Sequence, residues 1–166
     1  MNIFTVSLFG HRDIDDFKEL KYTLVPIIKD LIESRPYINF LIGRNGEFDE
    51  YVVSVIKRMQ EDRKENNDIN LVLPYKVANL EYYEKYYDGI ILPEKVNKAH
   101  PKNAITLRNR WMIEQSDLVI VYVKQKTGGA YAATKYAKEL NKKVINLCSV
   151  SGNRQTELFD GSEQIK

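Results

Sequence analysis

Cysteine occurs once in the 166 residues and histidine twice. The lone Cys148 can form no internal disulfide, and its place at the end of an apolar run suits a buried, inert thiol better than a reactive one. His11 and His100 stand alone, without CxxC or HExxH spacing, so the sequence calls for no metal site. It calls for no cofactor either: GxGxxG and the GxxxxGKS/T loop are both missing, which disfavours ordinary dinucleotide and P-loop sites. The GxSxG elbow of a serine nucleophile is missing too. No apolar stretch approaches the roughly 20 residues that span a bilayer, and no basic-then-apolar signal opens the chain, so a cytoplasmic location is expected. A large excess of one charge is also lacking. With 25 basic and 23 acidic residues the net charge is +2, which sets up no field to attract nucleic acid or an anionic membrane.

Apolar residues make up 43% and charged residues 29% of the chain, the balance of an ordinary globular domain. The length suits one domain, expected over residues 1–148, with a polar tail over 149–166 that is expected to be partly disordered. Five apolar, β-branched runs read as strands: Asn2–Phe9, Tyr37–Ile42, Ile69–Leu73, Asp117–Val123 and Lys143–Cys148. Near-continuous apolar runs of this length suit strands covered on both faces. Helical spacing separates them. Phe17, Leu20, Leu24, Ile27, Ile28 and Leu31 mark one stripe, which Pro26 is expected to kink or divide. Helices are also expected over 47–65, 104–115 and 130–140. Residues 77–91 read as a short helix or a lid, and 92–102, with two prolines, as a loop. The alternation predicts an α/β fold of three layers around a mostly parallel sheet of about five strands.

In such a sheet ligands bind beyond the carboxyl ends of the strands. Three of those ends are distinctive. In Gly10-His11-Arg12-Asp13 the arginine can fork onto a phosphate or carboxylate and the histidine can donate to an oxyanion or hydroxyl; a plain turn, with Asp15 or Asp16 capping the next helix, explains the same residues. In Gly43-Arg44-Asn45-Gly46-Glu47-Phe48-Asp49 two glycines precede a helix and can present amide N–H groups to an anion. Glu47 and Asp49 repel phosphate there, and suit ribose hydroxyls, general-base chemistry or simple capping instead. Thr127-Gly128-Gly129-Ala130 opens the last helix without a nearby acid. On the helix before the fourth strand, Arg108 and Arg110 point about 200° apart, so at most one of them faces a site, with Asn109 between them and Trp111 suited to the core. Tyr82, Tyr83, Tyr86 and Tyr87 form one aromatic face, suited to packing on the sheet or to stacking on a nucleobase.

Taken in order, these segments resemble the SLOG superfamily, the Rossmann-like group that includes the Lonely-guy phosphoribohydrolases and the DNA-processing protein A fold. The likeness is closest to its small stand-alone bacterial members. SLFGHRDI matches their opening strand and Gly-His-Arg turn, and IGRNGEFDEYV their Gly-x-x-Gly-x-Phe-Asp loop. LRNRWMIEQSDLVIVYV matches an Arg-Asn-x-x-Met helix before a strand, and TGGAYAATKYAKEL a Gly-Gly turn opening the final helix. The match runs from about Asn2 to Leu147. It implies a nucleotide or nucleotide-derived ligand with its phosphate at the Gly-Gly turn, and it implies homodimers. Some members sense such ligands; others cleave the N-glycosidic bond of a nucleoside monophosphate, using the glutamate of a PGGxGTxxE motif and a separate arginine. Here Gly128-Gly129 is followed by Ala130-Tyr131-Ala132-Ala133-Thr134-Lys135, with no acid before Glu139.

The leading expectation is a sensor-type protein that binds a nucleotide-like small molecule at Gly10, His11, Arg12, Gly43, Arg44, Asn45, Gly46, Arg108, Asn109, Thr127, Gly128 and Gly129. The alternatives are an N-glycoside hydrolase in which Glu47 or Asp49 serves catalysis, and an inactive interaction protein whose glycine loops are merely turns.

Overall fold

The computed structural model describes residues 2–148; the polar tail lies outside the described residues. Six strands form one all-parallel sheet: β1 (Ile3–Gly10), β2 (Tyr37–Ile42), β3 (Asn67–Val72), β4 (Gly89–Ile91), β5 (Leu118–Tyr122) and β6 (Lys143–Asn146), in the order β4-β3-β2-β1-β5-β6. The helices are α1 (Phe17–Ser34), α2 (Glu47–Arg63), α3 (Leu80–Tyr86), α4 (Glu94–Asn97), α5 (Pro101–Gln115) and α6 (Gly129–Glu139). This is the three-layer, Rossmann-like α/β fold that the alternation of runs predicts.

Strand alternation divides the core in two. Phe4, Val6, Leu8, Phe40 and Ile120 point to one face and pack under α1 and α2 through Leu20, Leu24, Ile28, Val52 and Ile56. Phe9, Leu41, Val119 and Val121 point to the other, under Met112 and Ile113 of α5 and Ala133 and Ala137 of α6. Successive side chains of a strand face opposite ways, and both directions are filled, which is why the central strands β1, β2 and β5 are predominantly apolar.

The sheet has six strands where about five were expected: β4 is three residues long, too short for any periodicity to show, and is held by its ladder to β3. Two expectations need correction. Pro26 does not divide α1, which runs unbroken as a single helix. Pro26 lies on the exposed face and Tyr22, whose carbonyl loses its donor, is 74% exposed, so the loss falls on the solvent side while the opposite, apolar stripe holds the helix on the sheet. Residues 92–102 are not all loop. Pro93 caps α4 and Pro101 is the first residue of α5, positions where a missing N–H costs nothing. Among the described residues no helix is long and apolar enough to cross a membrane.

The chain builds the sheet outward from β1 through β2 and β3 to β4, then returns to place β5 on the other side of β1. The connections leaving β1 and β5 therefore run to opposite faces and part from each other at their carboxyl ends, which leaves a crevice.

Candidate functional site

A cleft of about 650 Å³ occupies that crevice. Gly10, Gly43 and Gly128 all line it, so the turns after β1, β2 and β5 converge.

The first turn fits because β1 ends without a side chain. A Cβ on Gly10 would lie 2.2 Å from the Phe48 ring, which is itself buried and stacked over Tyr122 with ring centroids 6.2 Å apart. Beyond Gly10 the chain packs against the start of α2. Glu47 N–H donates to Arg12 O at 2.7 Å, and the Glu47 carboxylate accepts from Ile14 N–H at 2.7 Å. Gly46 meets the Arg12 backbone so closely that a Cβ would lie 2.5 Å from Arg12 Cα. Asp16, not Asp15, caps α1 by accepting from Glu19 N–H at 2.9 Å; Asp15 instead pairs with Lys124 at 3.2 Å.

His11 reaches across to the third turn. Its Nε2 accepts from Lys124 N–H at 2.9 Å and, more weakly, from Gln125 N–H at 3.4 Å. The ring is therefore neutral and protonated on Nδ1, the nitrogen left to donate. Burial lowers its pKa, with Lys124 adding to the effect and Asp15 opposing it. The turn that His11 steadies carries Gly128 at φ +92°, a left-handed conformation that favours glycine. Gly128 caps α6 with no side chain, so the first N–H groups of that helix face outward at the positive end of its dipole.

A charge from α5 lies against the second turn. Arg108 is 2% exposed and its guanidinium lies against Gly43, where a Cβ would be 2.8 Å from Nη1. Nη1–H donates to Val72 O at 3.0 Å and Nε–H to Asn109 Oδ1 at 2.8 Å. Asn109 Nδ2 in turn faces the position of a Cβ on Gly129, at 3.9 Å. Arg108, Asn109 and the start of α6 thus form a continuous run of donors along one wall. Among the described residues no carboxylate lies within ion-pair distance of Arg108, and desolvation pulls its pKa down. Nearby, Asp49 accepts from Asn45 N–H at 2.8 Å, and burial pushes its carboxyl up to about 6 despite the opposing pull of that bond and of Arg108.

Of the residues singled out in sequence, Gly10, His11, Arg12, Gly43, Asn45, Asp49, Arg108, Asn109, Thr127, Gly128 and Gly129 line the cleft. Arg44, Gly46 and Glu47 do not. Arg44 lies over the Tyr83 ring, 5.1 Å from its centroid, and Gly46 and Glu47 join the first two turns. Arg110 points away and stacks on Tyr136 at 4.9 Å, as the angular spacing from Arg108 requires. Of the tyrosine face only Tyr87 packs against the core; α3 buries none of its residues and Tyr82 is 63% exposed. Sequence reasoning missed Ile105, Tyr122, Lys124 and Gln125, and named Asp13 only as part of the first turn. The polar loop after β5 was a usable signal for Lys124 and Gln125; nothing in the sequence marks Ile105 or Tyr122. Cys148 is half-buried, and desolvation pushes its thiol up to about 11, consistent with an inert role.

No family model and no curated protein matches the chain. Among solved structures it is similar to DNA processing protein A from Streptococcus pneumoniae, with a TM-score of 0.63 and 15% sequence identity over 98% of this chain and 56% of that one. At that identity the likeness concerns the fold, and the chain spans little more than half of that protein's length.

One test follows from the His11 bridge. A folded-state pKa below the ordinary histidine value means that the neutral ring's contribution to stability is present at higher pH and is lost as pH falls through the folded value. His11→Ala is expected to cost on the order of 1 kcal/mol at about pH 8 and less at about pH 5, where protonation competes with the bridge for Nε2. Denaturant midpoints at both pH values measure this; an equal loss at both would show that the bridge does not depend on the neutral ring.

Proposed function

We propose that this cleft binds a nucleotide or nucleotide-derived small molecule, with the phosphate against Arg108, Asn109 and the first turn of α6, and that the protein acts as a sensor of that ligand. The observation that carries the proposal is Arg108: a buried guanidinium beside an open cleft, without a carboxylate at ion-pair distance among the described residues. A buried charge is costly unless it is paired, and a phosphate provides the missing charge in a geometry that guanidinium matches well. The adjoining N-terminus of α6 adds unpaired N–H groups and a favourable dipole. The resemblance to the SLOG superfamily supports the nucleotide class; the fold alone does not select it.

Adenine and nicotinamide nucleotides are expected to raise the melting temperature, since a ligand at 100 times its dissociation constant stabilises by about 2.7 kcal/mol. A panel of nucleotides that gives neither a thermal shift nor a calorimetric signal contradicts the proposal.

Hydrolysis of an N-glycosidic bond is the second reading, and Asp49 is the observation that favours it. Its carboxyl, pushed up to about 6, stands within the range that suits a general acid or base near neutrality. Glu47, the other candidate, is occupied by Ile14 N–H outside the cleft. Free base released from nucleoside monophosphates should then disappear in Asp49→Asn and persist in Glu47→Gln. Chromatography that detects no base from the wild-type protein removes this reading.

A further inference from the structure

Arg108 and Asp49 face the same cleft without forming an ion pair. Each is half-satisfied. Asp49 uses Oδ2 to accept from Asn45 N–H, and its other oxygen accepts no hydrogen bond among the described residues. Arg108 gives Nη1–H and Nε–H to Val72 O and Asn109 Oδ1, while Nη2 has no acceptor among the described residues. An oxyanion placed on the guanidinium therefore brings a second negative charge beside the Asp49 carboxylate. A like charge brought close to a buried carboxylate favours that carboxylate's neutral form.

We infer that an oxyanion seated on Arg108 is held by a second, proton-carrying partner, the neutral carboxyl of Asp49, so that the ligand is bound together with one proton. This rests on the binding proposal above and adds the charge state in which the cleft accepts its phosphate. The unliganded site is already inclined that way, because desolvation of Asp49 outweighs the opposing influence of Asn45 N–H and Arg108. The other charged and titratable groups in range are Glu50 on α2 and Tyr87 ahead of β4. Arg44 influences both Tyr87 and Arg108, and Tyr75 influences Arg108. Glu50 pushes Asp49 further toward the neutral form. In that form the carboxyl becomes a donor, and it can complete the wall made by Arg108, Asn109 and the α6 amides instead of repelling the phosphate.

Calorimetry on the full chain tests this, with adenosine 5′-monophosphate and inorganic phosphate as separate probes. Titrations at about pH 7.5 in two buffers of different ionisation enthalpy count the protons exchanged. The wild-type protein is expected to take up close to one more proton per bound probe than Asp49→Asn does. Its affinity should gain up to about tenfold over the variant's when the pH falls by one unit. Ionisation of the probe itself is common to both proteins and cancels in the comparison. The same proton count and the same pH profile in both proteins overturn the inference and leave the binding proposal standing. Absence of heat with both probes at either pH overturns the binding proposal, and the inference with it. Proton-linked binding of inorganic phosphate without binding of the nucleotide supports the role of Asp49 and rejects the nucleoside part of the ligand.

Discussion

The cleft depends on one close approach at the end of β1, where the Phe48 ring lies in the space that any side chain at position 10 would fill. Phe48 opens α2, so this contact draws the start of that helix over the end of the central strand, and the hydrogen bonds between Arg12, Ile14 and Glu47 then lock the two turns together. Overpacking a well-filled region commonly costs about 1–3 kcal/mol, and here the obstructing ring is itself buried and stacked on Tyr122 at the end of β5. The same economy of space recurs at Gly43, where a missing side chain admits the Arg108 guanidinium to the wall of the cleft. Small residues at the ends of the strands thus serve a packing purpose first, and the opening is its consequence.

What the opening presents is an uneven electrostatic surface. One wall offers donors from Arg108, Asn109 and the first turn of α6, and beside it lies a carboxyl whose burial weakens its acidity. The third turn, the most exposed of the three, is steadied from the far side by the neutral His11 ring. A basic group in the wall, helix amides at the rim and a titratable acid thus share one cleft.

The fold was legible because its strands are buried on both faces, so their apolar runs stand out against the charged helices. The boundaries of β2 follow from the residues alone, and of the helical stripe all but Phe17, which is exposed, lie on the buried face of α1. β4 was not legible, since three residues carry no periodicity and its pairing with β3 is a tertiary fact. At the site, the glycine-bearing turns were visible, yet the sequence does not divide the carboxylates between roles. Glu47 and Asp49 stand two apart, and only their placement on α2 sends one to the first turn and the other into the cleft. Likewise the choice of Arg108 over Arg110 needs the helix docked on the sheet before it can be made. The tyrosines of α3 misled because an aromatic face usually marks a core, whereas here cations from Arg44 and Lys57 lie over the exposed rings.

Backbone and arginine side-chain NMR during addition of inorganic phosphate tests the central claim most directly, that one anion locus lies between Arg108 and the start of α6. The account predicts saturable shifts concentrated at the amides of Gly128, Gly129 and Ala130 and at Arg108 Nε–H. Shifts that gather at Lys57 and the exposed tyrosines of α3, with those resonances unmoved, would contradict it.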